Sequence, residues 1–201
     1  LIDMASGITD FVPVITVDTG RLPEETYWMM ELAQRRYPIC LEVATPDADE
    51  LSRLVGVHGP NCFLRSVELR LQCCQVRKVR PLQRKLNACD VRAWATGVRR
   101  TQRDFRANLP KIQFEHGRLK LNPLLDWSDS EVEEYLRRYD VPRHPLYARG
   151  FTSIGCEPCT RPVEPGEHPR AGRWWWENGA AKECGIHVLA NGKIMRVAEE
   201  G

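Results

Sequence analysis

The chain has 201 residues, a length that corresponds to one or two domains and is sufficient to bury a hydrophobic core. With 42% hydrophobic and 28% charged residues, its composition is that of a globular protein and argues against a disordered one. The formal net charge of +2 argues against a general nucleic-acid-coating role. No apolar run approaches the roughly 18 to 20 residues of a membrane helix, and the start lacks the features of a signal peptide. We therefore expect a soluble, cytoplasmic protein.

The first 45 residues predict a strand–helix–strand unit. Residues 1–10 have the apolar side of a helix end, and the β-branched segment Val12–Val17 predicts a buried strand. A helix that starts at Pro23 is expected over Glu24–Arg36, followed by a second strand at Ile39–Val43. This order predicts an α/β fold with a partly parallel sheet, in which ligands bind beyond the carboxyl ends of the strands. Asp18–Arg21 follow the first strand and occupy such a place.

The middle of the chain continues the alternation of helices and strands. Pro81 lacks a backbone donor and is expected to break one of the helices into two pieces, and Ser128 and Glu131 form a capping box that starts another. From Val141 onward, Pro and Gly accumulate, which predicts a loop-rich final third. The predicted elements are helices at Ala48–Val55, at Leu71–Leu86 and after Ser128, a strand at Val91–Thr96, and a hairpin of Lys111–Glu115 with Arg118–Leu121.

Basic residues are concentrated in residues 77–106. This stretch holds ten Lys or Arg residues against Asp90 and Asp104, so its net charge is +8 while the rest of the chain carries −6. Such a block is either a solvated helix face or part of a site for a polyanionic ligand.

The eight cysteines are more typical of metal or redox chemistry than of a disulfide framework, because the chain is long and two cysteines are adjacent. Two doublets stand out, Cys73 with Cys74 and Cys156 with Cys159. Zinc sites usually space each pair by two to four residues, whereas the irons of a [4Fe-4S] cluster occupy separate corners and accept adjacent cysteines. The spacing therefore favours an iron–sulfur cluster over zinc. Cys40, Cys62 and Cys89 are interpreted as buried or inert thiols.

Two further features lie near the C-terminus. Cys184 stands between Lys182 and His187, which is either simple tail chemistry or a thiolate stabilised for nucleophilic attack. Arg170 and Arg173 offer forked donors for phosphate or sulfate, or are solvated loop residues. Three consecutive tryptophans follow at residues 174–176 and are interpreted as buried packing area.

Seven segments together resemble the assimilatory sulfonucleotide reductases, specifically the iron–sulfur type that reduces adenosine 5′-phosphosulfate. In chain order these segments are VDTGRLPEETY, CCQVRKVRPLQRKL, RAWATGVRRTQ, KLNPLLDWSDSEV, RGFTSIGCEPCTRPV, GRWWWE and KECGIH. The resemblance implies an adenine-nucleotide α-hydrolase-like fold with a central, mostly parallel sheet flanked by helices. It implies a reductase domain over 1–176 and a mobile tail over 177–201. The family's Ser-Gly-rich phosphate loop is not found in this sequence, which is interpreted as lacking that loop and the first strand.

The resemblance also assigns roles to individual residues. It implies that Cys184 is the nucleophile, and that a [4Fe-4S] cluster is bound by Cys73, Cys74, Cys156 and Cys159. The substrate-binding residues it implies are Thr19, Arg21, Lys78, Arg99, Arg100, Arg170, Arg173 and His187.

The implied reaction is reduction of adenosine 5′-phosphosulfate to sulfite and AMP through an S-sulfocysteine, which thioredoxin or a similar dithiol resolves. Neither a nucleic acid nor a membrane is an expected partner, and a homo-oligomer is left open. Three alternatives stay open at this point: a reductase of the 3′-phosphorylated substrate, a related ATP-dependent adenylating enzyme, and a non-catalytic zinc-stabilised binding module.

Overall fold

The computed structural model of the chain describes residues 1–102, 106 and 108–177. In this part of the chain, helices and strands alternate as the sequence predicts, which makes the protein an α/β protein. The α-helices are α1 (Ile2–Ser6), α2 (Glu24–Arg36), α3 (Ala48–His58), α4 (Val67–Cys74), α5 (Arg80–Ala88) and α6 (Asp129–Arg138). The strands are β1 (Val12–Val17), β2 (Ile39–Ala44), β3 (Ala93–Ala95), β4 (Ile112–Glu115) and β5 (Arg118–Leu121).

The predicted strand–helix–strand unit is confirmed. β1 and β2 pair in parallel from Val12 opposite Ile39 to Val17 opposite Ala44, and α2 forms the crossover between them. Because the strands are parallel, their carboxyl ends lie at one edge, from which the loop after β1 leads into α2. This loop contains Thr19 and Arg21 and reaches the candidate site described below.

The remaining described strands form a second sheet in the order β3-β5-β4. β3 is parallel to β5, and β4 and β5 form the predicted antiparallel hairpin. His116 and Gly117 close this hairpin with φ angles of 51° and 77°, as a primed turn requires. We expected one central sheet. Among the described residues the strands instead form two sheets, and β1 and β3 each pair with a neighbouring strand along one edge only. The pairing is nevertheless mostly parallel.

The expected break at Pro81 is replaced by one π-helical turn. α4 continues through Gln75–Val79 into α5 with right-handed helical backbone at the junctions. Pro81 lies in the first turn of α5, directly after the π turn. The wider π turn shifts the backbone hydrogen-bond pattern and so accommodates a residue without an N–H inside a continuous helix. The π turn thus keeps residues 67–88 on one helical path.

The capping box of α6 is confirmed, since Ser128 and Glu131 exchange side-chain and backbone hydrogen bonds. The loop-rich character after residue 141 is also confirmed, with 3₁₀ turns at Pro145–Arg149 and Glu157–Cys159 and an isolated β-bridge between Thr160 and Arg173. Among the described residues, none of the helices combines the length and the apolar character needed to cross a bilayer.

His144 gives the fold a pH-dependent contact. Its Nδ1 accepts the Leu146 N–H at 3.3 Å at the start of a 3₁₀ turn, so its Nε2–H donates to Thr26 Oγ1 at 3.0 Å. Burial lowers the pKa of His144, with the charge of Glu25 opposing the effect. A histidine whose pKa is lower in the folded state stabilises the fold above its unfolded pKa near 6.5, and this stability is lost as the pH falls below that value.

We therefore expect the wild-type protein to lose stability between pH 7.5 and pH 5.5 that the His144→Gln variant does not lose. Urea unfolding at the two pH values measures this difference. His168→Gln, which changes an exposed histidine, serves as the control and should follow the wild type. Equal pH dependence of wild type and His144→Gln would contradict the prediction.

Candidate functional site

Both cysteine doublets lie in one buried core cluster. Cys73 and Cys74 end α4, whereas Cys156 directly precedes the 3₁₀ turn Glu157–Cys159 and Cys159 ends it. All four thiols are less than 9% exposed and pack with apolar side chains and a fifth thiol. The other members of this cluster are Leu54, Cys62, Phe63, Val76 and Trp174. Two segments about 80 residues apart in the sequence thus meet in a single buried place.

The loop after β1 holds the second doublet against the helices. Thr19 is buried, and its Oγ1 is hydrogen-bonded to Cys156 Sγ at 3.2 Å. Arg77 Nη1 donates to the Thr19 carbonyl at 2.7 Å, and the Glu157 N–H donates to the Arg21 carbonyl at 2.8 Å. These contacts use the side chain and the carbonyl of Thr19 and the carbonyl of Arg21, so this loop contributes structurally to the cysteine cluster.

Arg21 extends its side chain away from these backbone contacts. Its Nη1 donates to Asn61 Oδ1 at 3.0 Å, and its guanidinium lies 5.3 Å from the centre of the Phe63 ring. The side chain is partly exposed, so its charge remains accessible from solvent.

Gly155 allows a guanidinium to approach the backbone before Cys156. A Cβ atom at this glycine would lie 2.4 Å from Arg173 Nη2, so any other residue here would force that guanidinium to move. Arg173 Nη1 also donates to the Ile154 carbonyl at 3.0 Å. The glycine in the segment SIGC therefore leaves room for the guanidinium of Arg173, which is only 5% exposed.

The π turn places two more cations beside the thiols. Arg77 and Lys78 both lie in this turn and are both 7% exposed. Burial raises the pKa of Cys73, and the charges of Arg77 and Lys78 act in the opposite direction. Burial and the neighbouring Cys156 raise the pKa of Cys159 to about 12, again against Lys78 and Arg173. Without a bound cation these two thiols are protonated at neutral pH.

Several buried donors around the cluster have no acceptor among the described residues. They are Arg77 Nε, Arg173 Nε and the indole Nε1 of Trp174. Buried donors are rarely left unpaired in folded proteins. The arrangement can therefore accommodate a group that offers acceptors or negative charge. Within the same part of the chain, no three His, Cys, Asp or Glu side chains converge on a point where one metal ion would contact them all.

The predicted substrate arginines divide into two groups. Arg170 and Arg173 lie in the cysteine-bearing loop region, where Arg170 Nη1 donates to Ser153 Oγ at 3.3 Å. Arg99 is ion-paired with Asp129 at 2.5 Å, and Arg100 with Asp126 at 2.7 Å. A bound anion would have to compete with these carboxylates for Arg99 and Arg100.

The members of the basic block in residues 77–106 divide between ion pairs and the cysteine cluster. In addition to Arg99 and Arg100, three of its members lie in ion pairs: Arg80 and Arg84 with Glu50, and Lys85 with Glu42. Much of the +8 charge is thus balanced by acidic residues that are distant in the sequence, and Arg77 and Lys78 are the members that lie at the cysteine cluster.

Some predicted residues lie elsewhere or outside the described part. Cys184 and His187 belong to residues 178–201, which lie outside the described residues. Glu177, the first residue of the predicted tail, is buried and ion-paired with Arg70. Of the unassigned cysteines, Cys62 is buried in the cluster, but Cys89 is exposed.

Sequence reasoning missed Arg70 and Glu177. A signal existed for Arg70, because it stands three and four residues before Cys73 and Cys74 and therefore on the same helix face.

Comparison with known proteins defines first the fold and then the family. The described α/β architecture is adenine-nucleotide α-hydrolase-like. It is similar to the solved structure of FMN adenylyltransferase from Candida glabrata, with a TM-score of 0.51 and 19% identity over 82% of this chain and 51% of that one. It is also similar to phosphoadenylyl-sulfate reductase from Candida auris, with a TM-score of 0.63 and 28% identity over 80% and 76% of the two chains.

Residues 1–162 match the model of the phosphoadenosine phosphosulfate reductase domain, and the chain belongs to this family. Its relatives include a protein named adenosine 5′-phosphosulfate reductase from Burkholderia cepacia, which is 47% identical over 192 residues, 94% of this chain and 76% of the relative. A protein of the same name from Allochromatium vinosum is 45% identical over 178 residues, 88% of this chain and 69% of the relative.

Proposed function

We propose that this protein reduces adenosine 5′-phosphosulfate to sulfite and AMP in sulfate assimilation. The observation that carries the proposal is the burial of two cysteine doublets in one core cluster beside the cations Arg77, Lys78 and Arg173. The names of the curated relatives, at 42–47% identity, support the same substrate.

The residues at the cluster fit a [4Fe-4S] centre held by Cys73, Cys74, Cys156 and Cys159. Each iron of such a centre takes its own thiolate, so the four sulfurs need not converge on one point. The unpaired buried donors Arg77 Nε, Arg173 Nε and Trp174 Nε1 match an anionic group with sulfur acceptors. When bound, the centre supplies a rigid link between the two cysteine segments and a local charge.

The phosphosulfate group requires positive charge, which Lys78, Arg170 and Arg173 provide in this proposal. A thiolate and a dianionic mixed anhydride repel each other, and cations near the sulfur and the leaving phosphate offset this repulsion in the transition state. Gly155 and Ile154 fix the Arg173 guanidinium, and Ser153 contacts Arg170, so both arginines are held before a ligand binds. Arg99 and Arg100 bind the substrate in this proposal only if they release Asp129 and Asp126, their partners in the structure.

The proposed reaction has two steps. The Cys184 thiolate attacks the sulfate sulfur, a sulfur–sulfur bond forms, the sulfur–oxygen bond to the phosphate breaks, and AMP leaves. One thiolate of thioredoxin or a similar dithiol then attacks Cys184 Sγ and expels sulfite, and its second thiol resolves the mixed disulfide, so that the dithiol is oxidised and Cys184 is regenerated. His187 approaches the substrate from the same segment. A dithiol reductant of this kind fits a cytoplasmic location.

Anaerobic purification followed by metal analysis and a substrate comparison tests this proposal. We expect about four irons and four acid-labile sulfides per chain, and dithiol-dependent sulfite release that is at least tenfold faster from adenosine 5′-phosphosulfate than from its 3′-phosphorylated form. A colourless protein with one zinc ion would contradict the assignment of a [4Fe-4S] centre. Pyrophosphate release from ATP in place of sulfite release would favour an adenylating enzyme.

A further inference from the structure

A buried ion pair joins α4 to the last described residue. Arg70 Nε and Nη2 donate to the two carboxylate oxygens of Glu177 at 2.7 Å and 3.0 Å. The side chains are 1% and 4% exposed, and the two residues are 107 positions apart in the sequence. A two-point contact between a planar guanidinium and a carboxylate fixes both distance and orientation.

The same ion pair is packed against Trp174. The Arg70 guanidinium lies 4.6 Å from the centre of the indole ring, and the Glu177 N–H donates to the Trp174 carbonyl at 3.0 Å. The backbone N–H of Trp174 in turn donates to the Cys159 carbonyl at 3.3 Å. Glu177 is thus connected to the second cysteine doublet through its backbone.

Glu177 is connected to the first cysteine doublet through its side chain. Arg70 lies on α4, one helical turn before Cys73 and Cys74. The carboxylate of Glu177 therefore ties the chain to the helix that carries Cys73, and the backbone of Glu177 ties it to the loop that carries Cys159. We call this set of contacts, made by Arg70, Trp174 and Glu177, the Arg70–Glu177 anchor.

The anchor lies a short distance before Cys184 in the sequence. Cys184 follows Glu177 by seven residues. Seven residues span at most roughly 25 Å when fully extended, so the location of Glu177 bounds the volume that the Cys184 thiol can sample. Fixing one end of a short segment raises the effective concentration of a group on that segment toward a site within its reach.

We infer that Glu177 is a positioning residue, which together with Arg70 fixes the origin of the segment that bears Cys184 relative to the cysteine cluster. This inference rests on the proposed function, in which Cys184 attacks a substrate bound beside that cluster. A buried arginine–carboxylate pair is a costly way to gain stability alone, whereas it defines a geometry well. The anchor acts on the rate at which the thiol meets the bound substrate and leaves substrate affinity unchanged.

The full chain with its metal centre and the substitution Glu177→Gln tests the inference. Glu177→Gln keeps the shape of the side chain and removes its charge. We expect iron content and adenosine 5′-phosphosulfate affinity within about twofold of the wild type, and S-sulfocysteine formation on Cys184 at least tenfold slower at saturating substrate. Mass spectrometry of a single turnover measures the adduct. Affinity is measured in a Cys184→Ser background, where no adduct forms.

Glu167→Gln is the matched control. Glu167 makes a similar two-point contact with Arg161, with both distances 2.8 Å, in the same loop region, but its side chain is 33% exposed. This variant is expected to form the adduct at the wild-type rate. A wild-type rate in Glu177→Gln would overturn the inference, and so would a parallel loss of iron, affinity and adduct, which indicates a purely structural ion pair.

A second variant and a second measurement separate this inference from the proposed function. Glu177→Asp keeps the charge on a shorter side chain, so we expect it to retain iron and to form the adduct severalfold more slowly than the wild type. Trypsin cleavage after Arg173, which is 5% exposed, should accelerate at least tenfold in Glu177→Gln and not in Glu167→Gln. If the wild type forms no S-sulfocysteine on Cys184, the proposed function is wrong. Adduct formation at the wild-type rate in the Glu177 variants, or unchanged cleavage in Glu177→Gln, would overturn the inference about the anchor and leave the proposed function intact.

Discussion

Replacing Cys159 by serine is expected to lower the iron content to less than about half of the wild-type value and to remove most of the visible absorbance. A serine hydroxyl replaces a thiolate poorly as a ligand of an iron–sulfur centre, and one iron then has no protein ligand. In the proposed function the centre would also link α4 to the loop around Cys156, so its loss should reduce stability by about 3 kcal/mol and the melting temperature by roughly 10 °C. Iron analysis and thermal unfolding under anaerobic conditions measure both effects.

Cys89→Ser is the matched control for this prediction. Cys89 is exposed at the end of α5 and lies outside the cysteine cluster, so its replacement should leave iron content and melting temperature unchanged. If Cys159→Ser retains the full iron content while Cys89→Ser loses it, the assignment of the four ligands is wrong. If the wild type carries a single zinc ion, the centre itself is wrong.

The sequence predicts those parts of the fold that local patterns determine. The β-branched run of β1, the proline before α2 and the capping box of α6 each act within a few residues, and the structure confirms the corresponding elements. The His116-Gly117 turn is equally local, because two residues with positive φ determine how the hairpin closes. The spacing within each cysteine doublet is also a local property.

Contacts between distant segments could not be predicted in the same way. Thr19 and Cys156 are 137 residues apart, and a threonine in a loop after a strand gives no sign that its hydroxyl will meet a thiol. Gly155 has no positive φ that would mark it, and only the approach of the Arg173 guanidinium explains it. The π turn at Gln75–Val79 compensates for Pro81 through the surrounding packing, which a helix-breaking rule does not include.

The basic block shows that a charge count along the sequence does not predict which cations lie at the site. A charge count along the chain includes Arg80, Arg99 and Arg100 but not the acidic residues that fold against them. In three dimensions these cations are largely neutralised, whereas Arg77 and Lys78 are buried beside thiols. The location of a charge, rather than the local excess of charge, therefore identifies the cations that matter for the site.

Replacing Cys184 by serine is expected to abolish the covalent S-sulfo adduct and to reduce sulfite release by at least about a thousandfold. The hydroxyl of serine is a far weaker nucleophile at neutral pH than a thiolate, and the serine product would not yield sulfite to a dithiol. The iron content should remain that of the wild type, because Cys184 is not among the four proposed ligands. Intact-mass analysis after incubation with adenosine 5′-phosphosulfate detects the adduct, and a sulfite assay follows turnover.

The combination of these two measurements determines which step fails. Cys89→Ser again supplies the control, since it removes an exposed thiol that the proposed reaction does not use. An adduct that persists in Cys184→Ser would move the nucleophile to another cysteine, and Cys73 and Cys159 are poor candidates because they are buried and, in the proposed function, bound to iron. Loss of the adduct together with loss of iron would instead indicate that Cys184 is a ligand of the metal centre. This result would contradict the proposal, in which the metal centre organises the site and a different thiol attacks the substrate.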